Sequence, residues 1–370
     1  MKLVCDTSII SEACANVQRA VAAKSVNPAM EGIYFKPAAQ GLELYGYDGE
    51  VGITTVLAAD AAEGNGTVIN AKLLCDILRH LPGDKMTIET DERNKCVIRS
   101  ADAEYTLIGM SEENYPELPY IVGGTPVILP QNILKDMVRG VIFAVSLNES
   151  LTVHKGVKVE LTPGLLTLIA LDGFRIAVRQ EQVDYSGEPL SFIVPAKTLS
   201  EAVKLMNDDE GMVSIELDKN HIIFGLNGYN LVSGLLEGNF IDYRRTIPKN
   251  FSTEILLKTQ DMIDSIDRIS LLITERLKTP VKCVVDDEKG EVRFLCTTTL
   301  GVANDKISAR IEGPGLLKCL NSRYLSDAFR AIDSDLAMVK TSQNEREPVC
   351  IFPPEGDQYF YMILPVRMPE

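Results

Sequence analysis

The chain repeats one pattern of charged and apolar positions three times. Each copy has a basic residue, a Leu two positions later, an acidic residue, two apolar residues, a second basic residue and a last apolar residue. The copies begin at Lys72, Lys197 and Arg323, which stand 125 and 126 positions apart. Counted from the Leu, apolar residues recur at i, i+3, i+4 and i+7, the spacing of one buried helix face. The pattern predicts three amphipathic helices, each with two basic side chains away from the core.

A single copy would be typical of a solvated helix face. Its acidic residue would form a weak pair with the base three positions later, contributing about 0.2–0.5 kcal/mol. The repetition adds information, because a period of 125 to 126 residues is too long for a solenoid unit and close to the length of a domain. We therefore expect three related domains, at residues 1–122, 126–248 and 251–370.

Each predicted domain has a helix, three strands, the repeated helix and three more strands, which indicates the α+β class. The first helices are predicted over residues 8–23, 131–145 and 259–274, and Thr7 or Ser8 is the expected cap of the first of them. A short strand over residues 1–5 precedes that helix. Period-two alternation predicts the other strands at 32–36, 42–47, 51–57, 86–90, 96–99, 104–108, 157–161, 165–171, 175–179, 213–217, 221–226, 230–236, 281–286, 291–297, 303–311, 337–341, 349–352 and 359–364.

The charge balance is acidic, with 37 Lys and Arg against 52 Asp and Glu among 370 residues and a formal net charge of −15. On average this argues against a nucleic-acid partner, although the placement of the bases matters more than their sum. If the domains pack through strand edges, their helices fall on one surface, and a basic surface suits contact with phosphates that does not read sequence. The bases expected there are Arg19, Lys24, Lys72, Arg79, Arg139, Lys197, Lys204, Arg268, Arg323 and Arg330.

Cysteine and histidine usage excludes several kinds of site. The eight cysteines are scattered without a CxxC pair, which indicates reduced thiols in the core of a cytosolic protein. The three histidines are far apart, so we expect no zinc site and no cofactor. The sequence contains no secretory leader and no run of about 20 apolar residues, so we expect a soluble intracellular protein with no membrane partner.

An enzyme is the alternative from another class. Carboxylate chemistry could use Asp172 beside Arg175, or the acidic run at 208–210, which is more typical of a solvated turn. The chain contains no GxxxxGK[ST] phosphate loop, no GxSxG elbow and no metal-spaced His and Cys set. We therefore predict no catalytic activity and no catalytic residues.

Seven short motifs then carry a resemblance. They are NAKLL at 70–74, YPEL at 115–118, FAVS at 143–146, DGFRIA at 172–177, FIDYRR at 240–245, NSRYL at 321–325 and LPVRM at 364–368. In this order and spacing the whole chain resembles the bacterial beta sliding clamp family, the processivity subunit of DNA polymerase III. The resemblance implies three repeated DNA-clamp domains, each with two helices packed on antiparallel sheets. It also implies a homodimeric ring in the bacterial cytoplasm that encloses double-stranded DNA.

The resemblance also implies two sets of contact residues. The dimer would form between Tyr105 and Leu107 of one subunit and Leu271 and Leu272 of the other, although such apolar residues could equally be core. A pocket would bind short apolar peptides of the DNA polymerase III alpha subunit, the clamp loader, other polymerases and repair proteins. Its matching positions are Gly173, Phe174, Arg175, Ile176, Ile241, Arg245, Thr246, Asn321, Tyr324, Ile363, Leu364, Pro365, Val366 and Arg367.

Three features depart from the family pattern. Phe174 stands where His is frequent, Ile241 stands where Pro is frequent, and Pro369 and Glu370 extend past the usual end. The shape of the pocket and its preferred peptide therefore stay open. A peptide-binding scaffold that does not encircle DNA is the remaining alternative function.

Overall fold

A computed structural model covers the chain, and the description here applies to residues 1–38, 41–59, 64–121, 126–208, 211–273 and 279–367. The last residue of the third predicted first helix, residue 274, lies outside these ranges. So do residues 209 and 210 of the acidic run and residues 368–370 at the chain end.

The first repeat alternates strands with two helices. In order, its elements are β1 (Lys2–Asp6), α1 (Thr7–Val17), β2 (Gly32–Ala38), β3 (Gly41–Tyr47), β4 (Val51–Leu57), β5 (Thr67–Asn70), α2 (Ala71–Leu78), β6 (Lys85–Thr90), β7 (Lys95–Ser100), β8 (Ala103–Ile108) and β9 (Met110–Ser111).

The second repeat has the same order without a counterpart of β9. Its elements are β10 (Val127–Pro130), α3 (Gln131–Arg139), β11 (Gly156–Thr162), β12 (Leu165–Leu171), β13 (Arg175–Gln182), β14 (Leu190–Pro195), α4 (Ala196–Leu205), β15 (Met212–Leu217), β16 (His221–Leu226) and β17 (Tyr229–Gly234).

The third repeat follows the second element by element. It consists of β18 (Thr253–Lys258), α5 (Thr259–Ser270), β19 (Val281–Asp286), β20 (Glu291–Thr298), β21 (Gly301–Glu312), β22 (Leu316–Leu320), α6 (Ser322–Arg330), β23 (Leu336–Thr341), β24 (Val349–Phe352) and β25 (Tyr359–Ile363).

Every helix is preceded by a strand, and the sequence prediction found only the first of these, β1. The prediction was wrong in omitting β5, β10, β14, β18 and β22. It also drew the first helices too long. The first helix gives way to a 3-10 turn at Gln18–Ala20, and α3 ends at Arg139 before another such turn at Ile142–Ala144.

The cap of α1 also differs from the prediction. Oδ1 of Asp6 accepts hydrogen bonds from the backbone N–H of Ser8 at 2.9 Å and of Ile9 at 3.3 Å. Asp6, and not Thr7 or Ser8, is therefore the N-cap, because its extended backbone places the carboxylate over the first free amides of the helix.

The predicted helix faces are confirmed at most positions, although Leu81 and Val203 are half-buried. Leu74, Ile77 and Leu78 of α2 are buried, and so are Leu325, Ala328 and Phe329 of α6. In α4, Leu199 and Ala202 occupy the same positions and are also buried. All eight cysteines are buried and free, as predicted.

The chain divides into two compact units that do not coincide with the repeats. The first contains Met1–Leu134 with Lys197–Leu235, and the second contains Lys135–Ala196 with Leu236–Glu370. The second repeat therefore contributes to both units, since its two halves pair their strands with different neighbours.

In the first unit, strands of the first and second repeats form one sheet. Its order is β10-β15-β16-β17-β4-β3-β2-β5-β9, and a separate sheet has the order β1-β6-β7-β8. The repeats join where β17 pairs antiparallel with β4, so that Leu231 lies opposite Ile53. Edge pairing thus makes one sheet from two domains.

In the second unit, strands of the second and third repeats form one twelve-stranded sheet. Its order is β14-β11-β12-β13-β25-β24-β23-β18-β21-β20-β19-β22. Here the repeats join where β13 pairs with β25, so that Ile176 lies opposite Met362. Both side chains belong to a buried apolar cluster that also contains Tyr243 and Phe360.

Candidate functional site

A tight turn before β13 presents an exposed aromatic side chain. Oδ1 of Asp172 accepts hydrogen bonds from the backbone N–H of Phe174 at 2.9 Å and of Arg175 at 3.1 Å. Gly173 has φ of 91°, a left-handed conformation that favours glycine. The turn is therefore fixed by its own residues, and it leaves Phe174 60% exposed. A single exposed apolar side chain is ordinary on a protein surface, so its role depends on the residues around the turn.

Arg175 ties this turn to the third repeat. It is only 7% exposed, and its guanidinium donates to Asp172 Oδ2 at 3.0 Å and to Asp327 Oδ2 at 2.5 Å. A further N–H donates to the carbonyl of Phe143 at 2.5 Å, and the guanidinium carbon lies 4.3 Å from the centroid of the Tyr324 ring. Removing one partner of a buried charge typically costs about 3–5 kcal/mol. Arg175 thus holds the turn and α6 in place.

The segment 364–367 is fixed between this turn and β22. The backbone N–H of Leu364 donates to the carbonyl of Phe174 at 2.9 Å, and that of Val366 donates to the carbonyl of Cys319 at 2.8 Å. These bonds form one side of a cavity of about 590 Å³. It is lined by Leu317, Cys319, Glu345, Arg346, Leu364, Pro365, Val366 and Arg367. The segment 364–367 is therefore held against the body of the protein.

The segment at 240–247 is anchored by Tyr243, which is buried in the cluster at the β13–β25 junction. This anchor leaves Ile241 exposed. Arg245 pairs with Asp242 at 3.1 Å, and Thr246 Oγ1 donates to the carbonyl of Tyr243 at 2.7 Å. The segment is therefore a fixed surface loop.

The predicted pocket residues separate into two groups. Ile176 and Ile363 are buried core residues, and Asn321 caps α6 by accepting from the N–H of Arg323 at 2.9 Å. The contacts above connect Phe174, Arg175, Tyr324 and the terminal segment directly. Their role as a peptide pocket stays a prediction.

All ten predicted DNA-contact bases are exposed. Five of them form short ion pairs: Arg79 with Asp76 at 3.2 Å, Lys204 with Glu201 at 2.7 Å, Arg268 with Asp305 at 2.6 Å, Arg330 with Asp267 at 2.6 Å, and Lys197 with both Asp48 and Glu50 at 2.8 Å. Arg139 and Arg323 have looser partners, at 3.9 Å and 4.0 Å. Across the described ranges, no ion pair involves Arg19, Lys24 or Lys72.

The expected pairing within each repeated helix holds in two copies and is wrong in the third. Asp76 and Glu201 each pair with the base three positions later, as predicted. Asp327 pairs with the buried Arg175 instead, and Arg330 turns to Asp267. A buried guanidinium needs a carboxylate more than an exposed one does, which explains the difference.

The predicted dimer residues are not core. Leu271 is 83% exposed, Tyr105 is exposed, and Leu107 and Leu272 are half-buried. Tyr105 and Leu107 lie on β8, the last strand of its sheet.

Part of β21 is also an open edge. Its residues 301–308 pair only with β20 among the described strands. Near both edges are exposed apolar residues that sequence reasoning missed: Ile108, Leu300 and Val302.

Comparison with known proteins identifies the family. Sequence models of the N-terminal, central and C-terminal domains of the DNA polymerase III beta subunit match residues 1–119, 128–242 and 244–367. The chain belongs to this family. The "Beta sliding clamp" of Staphylococcus epidermidis is 28% identical over 358 residues, which are 94% of each chain.

Solved clamp structures agree with this family assignment. The DNA polymerase sliding clamp of Bacillus subtilis superposes with a TM-score of 0.95 at 26% identity over 100% of both chains. A sliding clamp of Bartonella birtlesii bound to griselimycin has a TM-score of 0.92 at 25% identity, also over 100% of both chains. The predicted resemblance and the α+β fold of three clamp domains are confirmed.

In the described part of this beta-subunit chain, no group of three or more His, Cys, Asp or Glu side chains could hold a metal ion. Within the same ranges, no helix is long and apolar enough to cross a membrane.

Sequence reasoning missed the partners that fix the candidate sites in this clamp chain. The sequence does contain one clue to them, since Asp-Gly occurs at both 48–49 and 172–173. Asp48 caps its own turn as Asp172 does, accepting from the N–H of Val51 at 2.9 Å, and Gly49 has φ of 94°. The matching turns begin the two strands that join neighbouring repeats. A search for repeated turns would have found them.

His154 provides a prediction for the pH dependence of stability. Its Nδ1 is buried without a hydrogen-bond partner, and its ring packs edge-on against Phe240 at 5.6 Å. Burial lowers the pKa of His154 below its usual 6.5, against the opposing attraction of Asp172. The fold therefore favours the neutral ring, and the unfolded chain takes up this proton first as pH falls. This contribution to stability is complete above pH 6.5 and is lost as pH falls through the lower folded pKa.

As pH falls below 6.5, the thermal midpoint of the natural chain should decrease. We expect the midpoint of the His154→Asn variant to decrease less over the same range, because this side chain no longer takes up a proton. Differential scanning calorimetry across this range measures the difference, and His80→Asn is the matched control on an exposed position. Parallel curves for the natural chain and His154→Asn would contradict the assignment.

Proposed function

We propose that the chain is a bacterial sliding clamp, a non-catalytic processivity factor of DNA polymerase III. It encircles double-stranded DNA as a homodimeric ring in the cytoplasm and tethers polymerases to their template. The observation that carries the proposal is the match of three clamp-domain models, in order, to nearly the whole chain.

Exposed bases on the helices and in the segment that follows α1 supply the contact with DNA in this proposal. Arg19 lies in the 3-10 turn after α1, and Lys24 lies beyond that turn. Phosphate contacts position a protein without reading sequence, as a sliding ring requires. Arg19, Lys24 and Lys72 are the strongest candidates because no ion pair occupies them among the described residues. The paired bases can also contribute, since an exposed ion pair is worth only about 0–1 kcal/mol. At each paired base, the partner carboxylate competes with the DNA phosphate and weakens that contact.

In this proposal, open strand edges of two copies pair with each other and close the ring. The edge of β8 with Tyr105 and Leu107 would pair with the region of Leu271 and Leu272 on a second copy. Closed two-fold symmetry would satisfy both edges and cover their exposed apolar side chains.

The surface around Phe174 and the chain end supplies the contact with partners. We infer that it binds the short apolar peptides by which the DNA polymerase III alpha subunit, the clamp loader, other polymerases and repair proteins would be tethered. The exposed apolar side chains of Phe174 and Val366 favour an apolar ligand. Phe174 and Ile241, which differ from the usual family residues, would set the preference among peptides.

The ring and the alternative scaffold differ in how they remain on DNA. Loaded onto nicked circular DNA, the natural chain should be retained, and linearising the circle should release it from the ends. The Leu271→Asp variant should sediment as a monomer and should not be retained, because a charge would oppose closure. Val26→Asp is the control at another exposed apolar residue. Retention that survives linearisation would rule out a ring and favour the scaffold.

The bases without ion pairs give a prediction on salt dependence. We expect the triple variant Arg19→Gln, Lys24→Gln and Lys72→Gln to flatten the plot of log binding constant against log salt. Each lost phosphate contact on duplex DNA removes about 0.9 from the slope. Fluorescence anisotropy with duplexes of unrelated sequence measures it, and Lys249→Gln, outside the helices, is the control. An unchanged slope would remove these bases from the contact surface.

The pocket assignment gives a third prediction. Phe174→Ala should weaken binding of an apolar partner peptide by about tenfold, because truncating a central aromatic contact typically costs 1–2 kcal/mol or more. Fluorescence titration measures the affinity, and the unchanged thermal midpoint expected for an exposed residue shows that the fold is intact. The control is Val26→Ala. Equal affinity of the Phe174→Ala variant and the natural chain would refute the pocket.

A further inference from the structure

A groove crosses the nine-stranded sheet where the first and second repeats join. Its floor is a cross-strand row, in which Tyr34 lies opposite Tyr45, Tyr45 opposite Thr54, and Thr54 opposite Asn230. The segment 112–120 forms its wall, and the cavity volume is about 880 Å³. We call it the tyrosine groove, after Tyr34, Tyr45, Tyr115 and Tyr120, with Glu113 and Glu117 on its wall.

The aromatic part of the groove is held in a fixed arrangement. The ring centroids of Tyr34 and Tyr45 are 5.4 Å apart, and those of Tyr34 and Tyr115 are 5.2 Å apart. The hydroxyl of Tyr34 donates to Glu112 Oε2 at 2.7 Å, and that of Tyr115 donates to the carbonyl of Tyr45 at 3.2 Å. Tyr120 remains 76% exposed at the rim. These rings are therefore positioned before any ligand arrives, which lowers the entropy cost of binding.

The charge of the groove is negative and largely uncompensated. Glu113, Glu117 and Glu216 line it, and none has an ion pair within the described ranges. The one lysine in the lining, Lys36, is already used, because its Nζ pairs with Glu43 at 3.1 Å. That same Nζ lies 5.5 Å from the centroid of the Tyr45 ring. A cation over a tyrosine is thus already part of this surface.

We propose that the tyrosine groove is a docking site for an extended, arginine-bearing peptide segment of a partner protein. Guanidinium groups stack on tyrosine rings and pair with carboxylates, so both features of the groove select the same ligand. A row across four strands is roughly 14 Å long at about 4.8 Å per strand spacing, which accommodates about four residues of extended peptide. The ligand is cationic, whereas the surface around Phe174 favours an apolar one.

A fluorescein-labelled peptide of about six residues with three arginines is the probe, since about four residues occupy the row. Its counterpart carries citrulline, which keeps the shape of arginine and removes the charge. Anisotropy at low ionic strength should show saturable binding of the arginine peptide and at least tenfold weaker binding of the citrulline peptide. Hydrogen exchange on the same complex should show new protection in segment 112–120.

Charge-matched variants separate the groove from the general acidity of the chain. The triple variant Glu113→Gln, Glu117→Gln and Glu216→Gln should weaken binding about tenfold, because it removes three carboxylates that would pair with the arginines of the peptide. The control, Glu92→Gln, Glu288→Gln and Glu355→Gln, removes the same charge at exposed positions elsewhere and should change affinity less than twofold. Tyr120→Ala should also weaken binding, without changing net charge.

Three results would overturn the proposal: equal loss in the control variant, equal binding of the citrulline peptide, or no saturable binding. The DNA and apolar-peptide measurements use other residues, so failure here leaves them unaffected. Groove variants should likewise retain full affinity for an apolar peptide at the surface around Phe174.

Discussion

Hydrogen bonding at strand edges is the constraint on which this structure depends. An edge strand carries a row of backbone donors and acceptors that must be paired, covered or exposed to water. The chain pairs two such edges internally, β4 with β17 and β13 with β25, and each pairing joins one repeat to the next. The same pairing explains why the compact units cut through the second repeat. Several strand edges remain unpaired among the described residues. Those of β8 and β21 lie beside exposed apolar side chains, so they are the natural places for another copy.

The two internal junctions begin with the same Asp-Gly turn but differ in what occupies it. At 48–50, Lys197 reaches Asp48 and Glu50, so a polar network covers the turn. At 172–175, Arg175 is drawn inward by Asp172 and Asp327, and Phe174 is left exposed. The two turns differ at two positions, where Glu50 and Val51 correspond to Phe174 and Arg175. These differences make one junction an ionic contact and leave an apolar side chain exposed at the other. The second junction is the better candidate for a peptide-binding site, because burial of apolar surface stabilises a complex with a short peptide.

Most of the fold could be predicted from the local periodicity of apolar residues in the sequence. The faces of α2, α4 and α6 and most strands of five residues or more follow from side-chain spacing alone. Strands β5, β10, β14 and β18 escaped because each runs directly into the helix that follows, with no loop to mark where the strand ends. The partner of Asp327 escaped for another reason: Arg175 is 152 residues away, and no local pattern specifies a contact at that separation. The parts of the candidate site that depend on long-range contacts therefore could not be predicted from the sequence.

The diversion of Asp327 has a consequence for which substitutions the chain can tolerate. Asp76, Glu201 and Asp327 occupy one position of the repeated pattern, and a comparison of sequences would treat them as interchangeable surface acids. Neutralising Asp76 only releases the exposed Arg79 to solvent. Neutralising Asp327 deprives a buried guanidinium of a carboxylate and disturbs the turn that carries Phe174. Variation among related chains should therefore be freer at 76 than at 327, although the repeat itself makes them look alike.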